Sequence, residues 1–288
     1  MNKPSVYLID ASIYVFKSYF SVPDEFKSQA GDPINAVYGF IRFLTQFIHQ
    51  TKAQYIACAF DESLASSFRN EIYPPYKANR EPAPAELKKQ FRICQKVTRA
   101  MGIATFSDDS YEADDLIGTL ANHYQQKDHQ VYVVSADKDL TQLIGKKDFW
   151  WNYGKNEPFG PRQIQQKFGV YPNQIADYLA LTGDSVDNIP GVPGIGPKTA
   201  SKLLQHFKTL EQLLNRKNEI NYLSFRGAKS CKKKISDHLD ELHLARKLTG
   251  IVTDVPINDL NITRKNVNDD KINLIFDYLN FGPMLRRK

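Results

Sequence analysis

Cysteine is scarce, with only Cys58, Cys94 and Cys231 among the 288 residues. An odd number, widely spaced in apolar or basic surroundings, argues against a disulfide framework and lacks the ligand spacing of a zinc site. Long apolar runs are missing too. None approaches the roughly 18 to 20 residues needed to cross a bilayer. The opening MNKPSVYLIDASIYVF is interrupted by Asp10 too early for a signal peptide. The expectation is a cytoplasmic protein with no membrane partner. Internal repeats and low-complexity tracts are absent, and 42% hydrophobic with 24% charged residues is the balance of a folded globular chain.

Net charge is also small, at +6, but it is unevenly placed. Residues 201–250 carry eleven Lys or Arg against five Asp or Glu, so this stretch holds the entire excess. A neutral body with one basic segment suits a polyanion surface, although such a run also serves as a solvated face.

What is present is a pattern of short β-branched or aromatic runs alternating with helical ones. Residues 5–9, 55–60 and 131–135 are the clearest strands. This predicts an α/β fold, a mostly parallel central sheet flanked by helices. From about residue 173 helical patterns take over, which places a soft boundary near Pro172, with an α/β core at 1–172 and a helical region at 173–288. Residues 62–90 contain Tyr73-Pro74-Pro75, Pro82 and Pro84 and read as an irregular or short-helical excursion, a candidate lid or arch. The terminal Arg286-Arg287-Lys288 is expected to fray.

Each clear strand is followed by acids: Asp10, then Asp61, then Asp137 and Asp139. Ligands of open α/β sheets bind beyond the carboxyl ends of the strands, so these four carboxylates converge on one edge. Glu112, Asp114 and Asp115 open a helical pattern. Alone they serve the helix dipole and cap. Asp184 and Asp187, three apart, are alone an ordinary turn. Together the nine acids repel by about 4 kcal/mol per pair at about 4 Å and an effective dielectric of about 20, which calls for cations. All-oxygen ligands with no adjoining histidine favour Mg²⁺ or Mn²⁺. Two such ions suit in-line hydrolysis of a phosphodiester.

Lys77 and Arg80, three apart inside the excursion, are candidate electrophilic helpers for a phosphate. Tyr76 beside them is a candidate base-stacking residue or a packing one. Gly191, Gly194 and Gly196, followed by Lys198 and Thr199, read as a glycine hairpin opening into a helix that holds a DNA backbone without reading sequence. Lys232-Lys233-Lys234 would extend that clamp.

These blocks closely resemble the 5′-nuclease superfamily of bacterial DNA polymerase I nuclease domains, phage 5′-exonucleases and flap endonucleases. The resemblance is carried by LIDAS at Asp10, AFDES at Asp61, YKANR at 76–80, YEADD at Glu112, SADKD at Asp137 and LTGDSVDNIPGVPGIGPKTA at 181–200. It implies a PIN-like core and a structure-specific 5′-3′ exonuclease or flap endonuclease acting in replication or repair. Two metal sites follow, one of Asp10, Asp61, Glu112 and Asp114, the other of Asp115, Asp137, Asp139, Asp184 and Asp187. Lys77 and Arg80 would sit in a helical arch. Residues 183–205 would form a helix-three-turn-helix clamp on DNA (5′ flap, nicked or branched duplex), which in this family often holds K⁺. Residues 31–40 resemble the part that packs on the upstream duplex end. Lys17 stands where many relatives carry Arg, which exchanges a planar bidentate phosphate contact for a point charge. With no room for a polymerase domain, the chain resembles a stand-alone nuclease or an excised domain, and a monomer working with a separate DNA polymerase is expected. The alternatives are a non-catalytic structure-specific DNA-binding protein of this fold and a ribonuclease of related architecture.

Overall fold

The structure, a computed structural model, describes residues 3–62, 67–225 and 227–282. The tail expected to fray at 286–288 and residues 63–66 of the expected arch lie outside them. In chain order the elements are β1 (Val6–Asp10), α1 (Ala11–Ser21), α2 (Asn35–Thr51), β2 (Tyr55–Ala59), α3 (Phe68–Ile72), α4 (Ala85–Ala100), β3 (Ala104–Phe106), α5 (Ala113–Gln126), β4 (Val131–Val134), β5 (Phe149–Trp151) and α6 (Pro161–Phe168). The remainder is helical: α7 (Ile175–Thr182), α8 (Pro197–Phe207), α9 (Leu210–Asn215), α10 (Ala228–Asp237), α11 (Leu239–Thr249) and α12 (Asp269–Tyr278).

All five strands pair in parallel, in the order β3-β2-β1-β4-β5. This is the expected α/β class. Val6, Leu8 and Ile9 of the central strand are fully buried, which is why β1 reads as a continuous apolar run rather than an alternation. The three strands read from the sequence are present to within a residue at each end. The two edge strands went unread because three residues are too few to show a period.

Helix signals work where they are strong. Proline opens α6 and α8, and Gly169 and Gly183 close α6 and α7 with φ of +78° and +75°. One face of the sheet packs against α5, and its core continues through Ile175 and Leu179 of α7 to Leu203 of α8 and Leu248 of α11. The opposite face buries Phe40, Leu44 and Phe47 of α2 with Val97 of α4, and α12 returns there through Phe276. Among the described residues no helix is long and apolar enough to cross a membrane.

The chain runs from β1 outward to β2 and β3, then returns to place β4 on the other side of β1. The switch of direction therefore lies between β1 and β4, the crevice where open sheets bind ligands.

Candidate metal centre and nucleic-acid interface

Asp10 ends β1 and caps α1, with Oδ1 3.4 Å from the Ile13 N–H. Across the switch point Ser135 Oγ donates to Asp10 Oδ2 at 2.7 Å, which ties β1 to the loop after β4. Burial, followed by the charge of Asp61, raises the Asp10 carboxyl to about 7. Asp61 follows β2 and accepts the Ala113 N–H at the start of α5 at 2.9 Å, while its own N–H donates to Ser12 Oγ. Glu112 caps α5. The Asp114 carboxyl is raised well above its ordinary range by burial and then by Asp137 and Asp10. Acids from β1, β2, the loop after β4 and the start of α5 thus share one electrostatic environment.

A second set lies beside it. The Asp139 N–H donates to Asp137 Oδ1 at 2.8 Å. Asp184 pairs its backbone with Ile189 and accepts the Val186 N–H on Oδ1 at 2.8 Å, so the loop after α7 is closed on itself. Burial and then Asp137 raise the Asp139 carboxyl to about 7, against the opposing pull of Lys138.

Cations of the chain occupy these carboxylates. Lys77 Nζ is 2.9 Å from Glu112 Oε1 and 3.9 Å from Asp187 Oδ2, and Arg80 pairs with Asp187 Oδ1. Lys138 Nζ reaches Asp184 Oδ2 at 2.5 Å and Asp139 Oδ1 at 3.2 Å. Burial opposes the charge on Lys77 and Lys138, but the carboxylates outweigh it and raise both ammonium groups above their usual range. No three acidic, His or Cys side chains among the described residues are arranged to hold a metal ion. The donor set nonetheless fits hard divalent cations. It is all carboxylate, and Asp139 Oδ1 is buried without a hydrogen bond, the Lys138 contact lacking suitable geometry.

Asp115 does not join the other eight acids. It is fully buried, accepts Arg69 Nη1 and Nη2 at 2.7 and 2.8 Å, and also accepts the N–H groups of Val252 and Glu112. Its acceptor positions are filled. Successive helical residues point about 100° apart, so Asp114 faces the site and Asp115 faces Arg69. Tyr76 follows the packing one of its two expected readings, not base stacking. Only 3% exposed, it cannot stack on a base; its hydroxyl lies 3.1 Å from Glu112 Oε2 and 3.2 Å from Asp187 Oδ2, bridging the two sets of acids.

The described part of the expected arch is α3, a run of turns and the first turns of α4. Residues 75–80 dock on the 184–188 loop: Lys77 N–H donates to Asp187 O, Asn79 Nδ2 to Ser185 O, and Asn188 Nδ2 to Pro75 O. Lys17 is exposed on α1.

The segment expected to form the clamp, residues 183–205, comprises the loop after α7 and most of α8. A Cβ on Gly191 would lie 2.3 Å from Gly183 N and Thr182 C, so this glycine serves contact between chain segments rather than approach of a phosphate. Gly194 faces Lys234, and Gly196 alone of the three has open space beside it. It caps α8, next to exposed Lys198. Thr199 lines a cleft of about 300 Å³ with Gly194, Ser230 and Lys234. Three residues that shape the site, Arg69, Ser135 and Lys138, went unassigned in the sequence. The one available signal was a lysine set between two site acids in Asp137-Lys138-Asp139.

Comparison with known proteins identifies the family. Residues 5–169 match the 5′-3′ exonuclease N-terminal resolvase-like domain, and residues 170–270 the 5′-3′ exonuclease C-terminal SAM fold. A 5′-3′ exonuclease of Buchnera aphidicola subsp. Schizaphis graminum is 37% identical over 284 residues, covering 98% of each chain. Among solved structures, T5 5′-exonuclease with bound zinc aligns at a TM-score of 0.69 and 19% identity, over 96% of this chain and 99% of that one. The phage T5 D15 flap endonuclease, solved as a pseudo-enzyme-product complex with DNA and metal ions, aligns at 0.65 and 18% identity, over 98% and 96%. Matched over both its sheet and its helical region, this chain belongs to the 5′-3′ exonuclease family.

Proposed function

We propose that this protein is a divalent-metal-dependent, structure-specific 5′-3′ exonuclease and flap endonuclease that hydrolyses DNA phosphodiester bonds near 5′ ends. The observation that carries this reading is the gathering of eight acids at the switch point of the sheet, with Lys77 and Arg80 laid across them. The divalent ions and DNA bound by the T5 relatives support it.

Asp10, Asp61, Glu112 and Asp114 would hold one ion, and Asp137, Asp139, Asp184 and Asp187 a second, with Mg²⁺ or Mn²⁺ the suited metals. When bound, a pair of such ions supplies an activated water and Lewis acidity toward the scissile phosphate. Asp115 supports rather than ligates. It fixes the first turn of α5, and with it Glu112 and Asp114.

Lys77 and Arg80, released from Glu112 and Asp187, would hold phosphate oxygens as negative charge builds in the transition state. Tyr76 orients Glu112 and Asp187 from behind. The start of α8, with Gly196, Lys198 and Thr199, offers the positive end of a helix dipole and the Lys198 ammonium to a duplex backbone. Lys17 adds a point charge beyond the Asp10 cap. K⁺ at the clamp, a separate DNA polymerase as partner, a monomeric state and a division near Pro172 complete the reading.

Cleavage of a 5′-labelled flap duplex tests it, with Mg²⁺, with EDTA, and with an Asp139→Asn variant. Cutting near the junction that requires both metal and Asp139 is expected. Equal cutting in EDTA would overturn it, and so would tight flap binding with no cutting under any condition.

A further inference from the structure

Lys138 lies between two acids assigned above to the second ion. Its ammonium bridges Asp184 Oδ2 and Asp139 Oδ1, at 2.5 and 3.2 Å, on a side chain that remains 42% exposed. The backbone beneath it is fixed, because Thr141 donates both its N–H and its hydroxyl to the Lys138 carbonyl. A fixed backbone beneath a half-exposed side chain allows the ammonium to leave for solvent without disturbing the Asp137–Asp139 loop.

We infer that Lys138 is a built-in counter-ion of the second metal site, holding its acids together before the metal arrives and competing with the second divalent ion for them. This rests on the two-ion reading given above. The physical case is one of mutual exclusion. A divalent ion held by Asp139 and Asp184 and an ammonium held by the same two carboxylates would lie within a few ångströms of each other, with like charge. One must leave. Lysine suits the exchange because its charge sits at the end of a flexible stem with three rotatable donors.

The first set of acids is differently furnished. Asp10 and Asp61 accept hydrogen bonds from Ser135 and Ala113, neutral groups that do not exclude a cation, and the ammonium beside Glu112 is that of Lys77, which meets a single carboxylate of this set. Competition from Lys138 therefore falls on the second ion, two of whose acids it holds, and lowers its affinity. A substrate phosphate near the site would offer the displaced ammonium a new partner and draw the second ion in.

Calorimetric titration with Mn²⁺ alone, without DNA, reads this directly in wild type, Lys138→Gln and Lys138→Arg. Wild type is expected to show a tighter and a weaker ion. In Lys138→Gln the weaker one should tighten about tenfold, equivalent to about 1.4 kcal/mol, with the tighter one unchanged, and Lys138→Arg should resemble wild type. In EDTA, Lys138→Gln should melt below wild type, and saturating Mn²⁺ should close that gap. Two ions in wild type with no change in either affinity in Lys138→Gln would overturn the role of Lys138 and leave the two-ion reading standing. A single ion in wild type would overturn both.

Discussion

Arg69 and Asp115 form a bidentate ion pair, Nη1 to Oδ2 at 2.7 Å and Nη2 to Oδ1 at 2.8 Å, with both side chains almost fully buried. Arg69 also donates to the carbonyls of Leu248 and Gly250 and lies 3.6 Å from Glu112. It ties three distant parts of the chain together: α3, the acidic start of α5 and the end of α11. Its energetic meaning is asymmetric. The pair as a whole adds little over a well-packed apolar pair, but removal of one partner leaves a buried charge alone.

Arg69→Ala is therefore expected to cost about 3–5 kcal/mol of stability, measured by urea unfolding without metal. Asp115→Asn should also destabilise the fold but leave the number of bound Mn²⁺ ions unchanged, whereas Asp10→Asn should reduce binding. Loss of an ion in the folded Asp115→Asn protein would return Asp115 to the ligand set.

The metal-free protein should lose stability as pH rises. Burial and neighbouring carboxylates raise Asp10 and Asp139 to about 7 in the folded chain, against about 3.9 for an unperturbed Asp. Between those values the native state holds more protons than the unfolded one, so stability falls with pH through that window and levels off above it. Thermal melts in EDTA at pH 5 and pH 8 measure the slope. It should be shallower in Asp139→Asn, and an unchanged slope in that variant would rule out this origin.

Lys77→Ala should slow cleavage by about 10²–10³ while flap affinity changes by less than about tenfold, because Lys77 acts on charge that develops in the transition state. Single-turnover rates and equilibrium binding on one substrate separate the two effects. Equal losses in both would reduce Lys77 to a binding residue.

Gly191→Ala forces a Cβ to within 2.3 Å of the Gly183 and Thr182 backbone. It should cost at least about 1–3 kcal/mol and weaken duplex binding by distorting the clamp. Gly196→Ala, with open space at that position, should fold as wild type and affect only the DNA contact. Matched melting temperatures for the two variants would show that the loop relaxes around Gly191.

By itself the sequence determined the parallel sheet, the acids at its carboxyl edge and the helical half with its glycine hairpin. Each leaves a local trace. A buried strand is an apolar run, an acid after it is a fixed spacing, and proline or glycine marks a helix end. The short edge strands β3 and β5 leave no such trace. What local pattern could not decide is which way neighbouring side chains face and what meets them there. Asp114 and Asp115 are adjacent and chemically alike, yet one faces the site and the other a guanidinium brought from α3. Tyr76 reads equally as a stacking or a packing aromatic until Glu112 and Asp187 close on its hydroxyl. Lys138 looks like a surface lysine until the loop after α7 brings Asp184 against it. Those assignments depend on contacts between residues 36 to 111 positions apart, and only the packing of the chain supplies them.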